Sequence, residues 1–496
     1  MTAELTTPAT AGIVADLVDL LGESQVEVDP DAIRAASVDR FKKYTAVHGI
    51  FDGPFPAAIV RARSTDDVRA VLTYADAHGL NVVPRTGGTA TEGGLETAVA
   101  DSIVLDCSPM DAILSIDPVD MQATVQCGVG LQRLEDELRA QGLTTGHSPQ
   151  SKPIAQMGGL VATRSIGQLS TLYGGIEDMV VGLEAVFPDG TVARIKNVPR
   201  RAAGPDLRHV VIGNEGALCV VTEVTVKVFR APEALEFRGY LIDDFAAGIE
   251  ILREVVVGGY RPSVARAYSP GDAQQHFSHL PGFDAERTSV VVLVAEGPRR
   301  LVEATAAGID DAVARCAEEH RVTPVEQGLV EEWFTHLNWG PDKIEAEKAA
   351  MLREAHLGYT TEVSASWSAV PALYDNVMRR VREEFPRAGD LTMLGAHSSH
   401  SYQTGTNLYF VYDYDITCEP REEIDLYHRP LNAIVVEEAL AVGGSMVHHH
   451  GIGKYRTEWT REEHGSAYPI LAGLKRTFDP NGTMNAGTIF PLGDDL

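Results

Sequence analysis

The sequence predicts an α+β protein of two or three domains, and three observations lead to that prediction. The chain has 496 residues, too many for one ordinary hydrophobic core. Its shares of 44% hydrophobic and 23% charged residues are those of a globular protein. From residue 150 to 230 glycine-rich turns alternate with valine- and isoleucine-rich strands, and long amphipathic helices and strands without glycine-rich loops follow from 233 to about 440. We expect a helical leader (1–50), a glycine-rich domain (51–232), a cap domain (233–440) and a segment that returns to the glycine-rich domain (441–496).

Local signals predict the elements in chain order. Asp29-Pro30-Asp31 starts a helix in the leader, and the Ser64-Thr65-Asp66-Asp67 capping box starts another that ends at Gly79. Short strands are predicted at 81–84, 102–105 and 122–126, a helix at 131–141, and a strand at 220–229 just before a domain boundary. A strand at 408–414 alternates, so that Tyr409, Val411 and Asp413 share one face, and a helix follows at 433–442.

Charge and cysteine content exclude several classes of protein. The formal net charge is −28, with 70 acidic against 42 basic residues, whereas binding to nucleic acid requires a basic surface. No apolar run reaches the roughly 18–20 residues that span a bilayer, and the first residues lack a secretory pattern. The five cysteines form no Cys-x-x-Cys pair, which argues against a disulfide framework or a zinc knuckle. We therefore expect a cytoplasmic protein with no membrane span and no nucleic-acid partner.

The loop at 84–94 carries the strongest local signal. It follows a predicted strand and has four glycines in eight residues, so its backbone can approach a ligand closely and direct N–H groups at a pyrophosphate. A tight surface loop is the alternative. The spacing is not the Gly-x-Gly-x-x-Gly of a Rossmann domain, and Gly451-Ile452-Gly453-Lys454 lacks the pattern of a phosphate-binding P-loop. Further glycine-rich turns lie at 157–163, 173–178 and 213–218.

In order and spacing, these turns form a recognisable set. Together with Thr145-Gly146-His147-Ser148-Pro149 and the ending at 479–490, they resemble the vanillyl-alcohol oxidase / p-cresol methylhydroxylase superfamily. The resemblance implies a two-subdomain FAD-binding domain of the p-cresol methylhydroxylase type, a cap domain with an antiparallel sheet, and FAD as cofactor. The residues it implies for FAD binding are Pro84, Arg85, Thr86, Gly87, Gly88, Thr89, Ala90, Gln150, Ser151, Gly158, Gly159, Thr163, Ser165, Glu215, Gly216 and Val221.

The same resemblance bears on how FAD is attached. Superfamily members that tether FAD through the glycine-rich loop carry a histidine there, whereas this loop has Thr89. We therefore expect non-covalent FAD, with His147 and Cys127 as the alternative anchors.

Within the superfamily the chain is most similar to the alkylglycerone-phosphate synthase family. The likeness rests on Gly204-Pro205-Asp206, on Leu408-Tyr409-Phe410, and above all on the run from His448 to Arg456. It implies catalytic roles for Tyr409, His448, His449, His450 and Arg266, and a substrate contact near Lys348. Further candidates for substrate contacts are His397 and His400, together with Lys454 and Arg456, whose charges can answer a negative charge on the substrate. Ala396-His397-Ser398-Ser399-His400 replaces the family's Cys-Arg-Val-Thr-Gln, which weakens the case for a phosphorylated ketone substrate.

The chemistry of Tyr409 and of the histidine triplet admits alternatives. A phenol acts as a base only where cations stabilise its anion, and Tyr409 could instead line a core. The triplet could deprotonate a substrate, face solvent, or bind a metal through His448 and His450. No carboxylate or cysteine clusters near the triplet in the sequence, so no metal is predicted.

The leading hypothesis is an FAD-dependent oxidoreductase, or an adduct-forming flavoenzyme, that acts on a small or lipid-like hydroxylated substrate. The alternatives are alkylglycerone-phosphate synthesis, a 2-hydroxyacid dehydrogenase in which His397, His400 and Glu362 mimic a metal site, and a non-enzymatic flavin store. A homodimer is expected.

Overall fold

The structure is a computed structural model that describes residues 8–493. Its first half contains a four-stranded, a five-stranded and a two-stranded sheet. The N-terminal arm and the first sheet consist of α1 (Pro8–Leu21), β1 (Val26–Glu27), α2 (Pro30–Ala36), α3 (Lys43–Val47), β2 (Ala58–Arg61), α4 (Thr65–His78), β3 (Val82–Arg85) and β4 (Ile103–Asp106). The sheet order is β1-β2-β4-β3, and β2, β4 and β3 run parallel.

The second sheet of this half has five strands in the order β5-β6-β10-β8-β9. Its elements and their neighbours are β5 (Ile113–Asp117), β6 (Gln122–Gln126), α5 (Leu131–Arg139), β7 (Leu143–Thr144), α6 (Met157–Ala162), α7 (Ser170–Tyr173), α8 (Ile176–Met179), β8 (Val180–Val186), β9 (Val192–Ile195), α9 (Arg208–Val211), β10 (Val220–Lys227) and β11 (Phe229–Arg230). The short strands β7 and β11 pair with each other.

The second half is built on a seven-stranded antiparallel sheet in the order β15-β12-β14-β13-β17-β18-β16. Its elements are β12 (Ala234–Ile242), α10 (Phe245–Val257), β13 (Val264–Tyr268), α11 (Pro270–Phe277), β14 (Ser289–Gly297), α12 (Arg299–Cys316), β15 (Val322–Pro324), α13 (Gln327–Thr335), α14 (Pro341–Glu354), β16 (His356–Ser366), α15 (Val370–Glu384), β17 (Leu391–Ser398), β18 (Gly405–Asp415) and α16 (Arg429–Ala441).

The C-terminal segment folds back onto the first half. After α17 (Thr460–His464) and α18 (Tyr468–Phe478), the backbone of Met484 bridges Val82 of β3, and the Asn485 N–H donates to the Val82 carbonyl. The start of the 84–94 loop is thus fixed by a segment some 400 residues further along the chain.

Most predicted elements are confirmed within two residues. The Ser64 hydroxyl accepts from the Asp67 N–H at the start of α4, and Gly79 ends that helix with φ +64°. The alternation in β18 is also confirmed, because Phe410, Tyr412 and Tyr414 are buried in the core. By contrast, residues 448–450 form a bend and not a strand, so their side chains do not alternate. Within residues 8–493, no helix has the length and apolar character needed to cross a bilayer.

Candidate active site

A cavity of about 650 Å³ lies between the glycine-rich half and the seven-stranded sheet, a volume within the range of cofactor sites. On one side its wall consists of the loop at 84–91, residues 149–166, and residues 215–221. On the other side it consists of side chains from β13, β16, β17 and β18, together with His449 and His450. All sixteen residues expected to bind FAD line this cavity.

Glycines let the loops of the first half pack closely behind the cavity. A Cβ on Gly87 would lie 2.7 Å from the Ile154 carbonyl oxygen, and a Cβ on Gly159 would lie 2.9 Å from the Thr86 hydroxyl. Both distances are too short for a real contact. The backbone at 86–88 therefore presses against residues 154–156, and its other side faces the cavity.

Glu215 connects the two walls of the cavity. Its φ is +49°, and its carboxylate accepts the N–H groups of Ile452 and Gly453, each at 2.8 Å. Burial raises the pKa of Glu215 to about 7, although those two hydrogen bonds oppose the shift. The side chain thus fixes the turn after the histidine triplet against the glycine-rich half.

Arg266 stands on β13 and is buried in the cavity wall. Its Nη1 donates to the Tyr268 hydroxyl at 2.7 Å, and its guanidinium lies 5.7 Å from the Trp333 ring centroid. Its Nε has no hydrogen-bond partner, and no carboxylate in the described part of the chain forms an ion pair with it. Because a buried charge is normally paired, this guanidinium is suited to an anionic ligand.

Tyr409 projects into the cavity from β18. Its hydroxyl accepts from the Thr360 hydroxyl at 3.0 Å and lies 3.3 Å from Nε2 of His450. Burial raises the pKa of Tyr409 to about 12. The phenol is therefore protonated at neutral pH and can donate a hydrogen bond.

The three histidines occupy different positions. His449 and His450 line the cavity, whereas His448 lies behind His449, with the two Nδ1 atoms 2.9 Å apart. Burial lowers the pKa of His448 to about 4 and that of His449 well below its usual range, so both rings are neutral. A neutral imidazole at the cavity wall can accept a proton.

His397 and His400 line the same cavity. Nδ1 of His397 lies 2.5 Å from the Asp272 carboxylate, and Nδ1 of His400 lies 2.8 Å from the Ser170 hydroxyl. Burial lowers the pKa of His397 more strongly than Asp272 raises it. Each partner fixes the orientation of its ring.

A buried ion-pair network lies behind the histidine loop. Arg456 is fully buried, and its guanidinium contacts Glu92 of the glycine-rich loop at 3.1 Å and Glu362 of β16 at 2.9 Å. The Glu362 carboxylate also accepts the backbone N–H groups of His449 and His450. Arg456 therefore connects three segments around the cavity without reaching into it.

Comparison with known proteins identifies the family. The model of the FAD binding domain matches residues 56–196, and that of FAD linked oxidases, C-terminal domain, matches residues 231–489. The uncharacterized FAD-linked oxidoreductase YgcU of Escherichia coli K12 is 57% identical over 97% of this chain and 99% of its own length. The chain belongs to the family of FAD-linked oxidases.

More distant relatives have several named activities. Alkyldihydroxyacetonephosphate synthase of Caenorhabditis elegans is 28% identical over 88% of this chain and 76% of its own length, and glycolate oxidase subunit GlcD of Bacillus subtilis is 25% identical over 88% and 89%. Among solved structures, an alkyldihydroxyacetonephosphate synthase aligns with TM-score 0.77 at 22% identity, covering 97% of this chain and 85% of that one. Substrate-bound p-cresol methylhydroxylase aligns with TM-score 0.75 at 17% identity, covering 99% of both. These alignments confirm the predicted α+β fold.

As an FAD-linked oxidase the chain binds FAD, and the cavity fits this cofactor. The glycine-rich loop at 84–90 lines the cavity with backbone of the kind that binds a pyrophosphate, and the half-buried cation of Arg85 lines it as well. Of the two alternative covalent anchors, neither lines the cavity: Cys127 lies beneath Gly158, and His147 contacts Ser165 at 3.3 Å. Non-covalent attachment remains our prediction.

Four expected site residues lie away from the cavity wall. Lys348 is exposed on α14, where it pairs with Glu345 at 2.8 Å. It does not line the cavity, so the structure does not support the expected substrate contact. Lys454 donates to Asn485 and Thr488, each at 2.7 Å, and thereby fixes the C-terminal segment. Arg456 is enclosed by the carboxylates of Glu92 and Glu362. His448 contacts His449 on the side away from the cavity and does not line the cavity itself.

The residues that the sequence interpretation missed come mainly from the segment 333–347 and from the N-terminal arm. Trp333, Trp339 and Lys343 line the cavity, as do Arg40 and Lys43, both of which pair with Glu347 at 2.7 Å. The backbone N–H of Trp339 donates to the Gln150 carbonyl, so this segment contacts the glycine-rich half directly. In the sequence, the feature that could have indicated a cavity-lining role for this segment is the occurrence of two tryptophans, Trp333 and Trp339, within seven residues.

Two groups of side chains among the described residues are close enough to hold a metal ion. One consists of His400, His448 and His449, the other of Glu362, His449 and His450. The second already holds the carboxylate that Arg456 neutralises. The set His397, His400 and Glu362, considered from the sequence as a metal mimic, is not one of these groups.

Proposed function

We propose that this chain oxidises the hydroxyl-bearing carbon of a substrate that also carries an anionic group, with the anion bound by Arg266. The observation that carries the proposal is the buried guanidinium with an unpartnered Nε and no carboxylate paired to it. A carboxylate or phosphate accepts two parallel N–H bonds from such a group. The geometry favours a hydroxy acid over a neutral alcohol.

FAD held by the glycine-rich loops would supply the oxidising power, as the acceptor of two electrons and of the hydrogen removed from the substrate carbon. The chain itself manages the proton of the hydroxyl group. His449, held neutral at the cavity wall, accepts that proton, and the protonated Tyr409 hydroxyl donates a hydrogen bond to the same oxygen. His397, oriented by Asp272, offers a further polar contact to the anion.

The redox-neutral exchange of the alkyldihydroxyacetonephosphate synthases is the second candidate, and it is supported by the sequence similarity to these enzymes and by the resemblance of the run from His448 to Arg456 to that family. An anionic substrate would also satisfy Arg266 in that reaction. The two candidates differ in their need for an electron acceptor, because only the oxidation delivers electrons to oxygen or to a dye.

The test is a panel of hydroxy acids, matched neutral alcohols and acyl ketone phosphates, with the visible flavin absorbance followed under anaerobic conditions. We expect hydroxy acids to bleach the flavin and the matched alcohols to leave it oxidised. Arg266→Met should raise KM by about 30-fold or more, since breaking a buried charge pair costs about 2–5 kcal/mol.

The matched control is Arg238→Met, which removes a partly exposed arginine from the same sheet, where it pairs with Glu236 and Asp310. This variant should keep the wild-type KM. Equal bleaching by alcohols and hydroxy acids, or an unchanged KM in Arg266→Met, would show that the proposal is wrong. Turnover of an acyl ketone phosphate without any electron acceptor would favour the second candidate.

A further inference from the structure

A continuous line of hydrogen-bonding groups runs from the cavity to the surface. Nδ1 of His449 lies 2.9 Å from Nδ1 of His448, and Nε2 of His448 lies 2.7 Å from the Tyr402 hydroxyl. His449 lines the cavity, whereas Tyr402 is 39% exposed. The line therefore joins the proton acceptor to solvent through two intermediates.

The protons on this line can be arranged in two ways, and each leaves every contact satisfied. In one, His449 donates from Nδ1 to His448, and His448 donates from Nε2 to the Tyr402 oxygen. Nε2 of His449 then carries a free lone pair. In the other, Tyr402 donates to His448, His448 donates to His449, and Nε2 of His449 carries the proton. The two arrangements are the states before and after one proton has passed.

The backbone holds the members of the line in place. The His449 N–H donates to the Glu362 carboxylate at 3.0 Å. Tyr402 sits in the turn between β17 and β18, where its N–H donates to the Gly405 carbonyl at 2.8 Å and its carbonyl accepts from the Trp367 indole at 3.2 Å. Such fixed donors and acceptors are what proton transfer over hydrogen-bond distances requires.

The pKa shifts of His448, His449 and Tyr402 favour the transfer of a proton along the line over its retention on any one of these side chains. Burial holds the imidazoles of His448 and His449 neutral, so neither retains a proton at neutral pH. Partial burial of the Tyr402 side chain, together with the nearby carboxylates of Glu177 and Asp178, raises the pKa of Tyr402 well above its usual range. The phenol thus exchanges one proton for another without becoming an anion.

We propose that His449, His448 and Tyr402 form a proton-release path, with Tyr402 as its exit residue. This inference rests on the proposed oxidation, which frees one proton per turnover from the substrate hydroxyl. His449 takes that proton at Nε2 and passes the proton on its Nδ1 to Nδ1 of His448. His448 passes the proton on its Nε2 to the Tyr402 oxygen, and Tyr402 passes its own hydroxyl proton to water. No electrons move along the path.

Tyr402→Phe removes the exit hydroxyl and keeps the ring. The measurement is stopped-flow turnover of the holoenzyme in weakly buffered solution with a pH-indicator dye, alongside flavin absorbance. We expect kcat to fall by about 10-fold, proton release to lag behind flavin reduction, and added imidazole to restore both, since a small buffer replaces a lost proton carrier. Tyr74→Phe is the control, because it removes a hydroxyl that donates to Asp16 of α1 and does not line the cavity.

Two results of this experiment would overturn the path. One is a wild-type kcat with proton release in step in the Tyr402→Phe variant. The other is a lowered kcat that imidazole does not restore, since that outcome assigns the hydroxyl a merely structural role.

A second measurement needs no substrate and therefore separates failure of the path from failure of the proposed function. In ¹⁵N-histidine-labelled holoprotein, long-range ¹⁵N–¹H spectra report which ring nitrogen carries the proton. We expect neutral His448 and His449 with complementary tautomers, and a changed His448 tautomer in Tyr402→Phe but not in Tyr74→Phe. An unchanged His448 signal would overturn the path, as would a stoichiometric metal ion on His400, His448 and His449, because the ion would occupy the lone pairs that the path uses.

Discussion

Replacing Arg456 by methionine should destabilise the protein strongly, because the substitution leaves two buried carboxylates without their cation. Glu92 and Glu362 are almost fully buried, and each contacts the guanidinium within 3.1 Å. Breaking such a pair costs about 3–5 kcal/mol. For a cooperative unit of about 150–250 residues, that loss lowers Tm by roughly 6–20 °C.

The effect should depend on pH with a predictable sign. Burial alone would raise the pKa of Glu362, but the guanidinium of Arg456 and the hydrogen bond from the His450 backbone N–H outweigh burial and hold the pKa well below its usual range. A depressed carboxyl pKa contributes stability that is present above the unfolded value of about 4.3 and is lost as the pH falls below it. Without Arg456, burial dominates and the pKa rises. Protonation of Glu362 then removes part of the cost of burying an unpaired carboxylate in the variant. The loss in Tm relative to the wild type should therefore be smaller at pH 5.5 than at pH 8.

The assay is thermal unfolding of the holoprotein at both pH values, followed by far-ultraviolet circular dichroism and by release of flavin fluorescence. Arg266→Met is the matched control, since it exchanges the same residue types at a buried arginine for which the described residues provide no carboxylate partner. That control should unfold at or above the wild-type temperature. An Arg456→Met variant with wild-type Tm, or a deficit that grows toward low pH, would refute the reasoning.

Four further outcomes follow from single side chains or from the cofactor. Tyr409→Phe should keep FAD bound and slow flavin reduction by about 10²-fold, the scale of a lost donor at a reacting oxygen, as measured by stopped-flow absorbance. Gly87→Ala should be purified without the visible flavin bands, because its Cβ would lie 2.7 Å from the Ile154 carbonyl, whereas Gly130→Ala, with open space around it, should remain yellow. Burial raises the pKa of Asp39 to about 7, so the wild type loses stability as the pH rises from about 4 through 7, and Asp39→Asn should flatten that dependence of Tm. Acid precipitation should release the flavin into the supernatant, and a yellow pellet would show covalent attachment.

The FAD-binding loops could be predicted from the sequence because their signal is local. A run such as Gly87-Gly88 is needed where a backbone packs closely on one side and meets a ligand on the other, and glycine alone tolerates both. Strand periodicity likewise placed Tyr409 on the cavity face, since neighbours in a strand point to opposite sides. Neither inference requires knowledge of what the loop or strand packs against.

The parts that could not be predicted depend on contacts between distant residues. Arg456 appeared to be a substrate cation because its partner Glu92 lies 364 positions earlier in the sequence. On α14, the rotation of the helix about its axis determines which residues reach the cavity. Glu347 faces Arg40 and Lys43 there, whereas Lys348, one residue and about 100° further round the helix, faces solvent. A weakly amphipathic helix does not reveal that phase until its neighbours are known.

The two buried arginines show why residue type alone does not separate stability from function. Both guanidiniums lost most of their hydration on folding, and that loss must be compensated by a partner. In Arg456 the chain provides the compensation through Glu92 and Glu362, so the charge contributes to the fold whether or not a ligand is bound. For Arg266, residues 8–493 provide a phenol and an indole but no paired carboxylate, so on the proposed function the compensation comes from the anionic group of the substrate. A buried cation without a counter-charge lowers the stability of the unliganded protein, and a bound anion removes that loss of stability. Such a loss is typical of residues that serve binding and not folding.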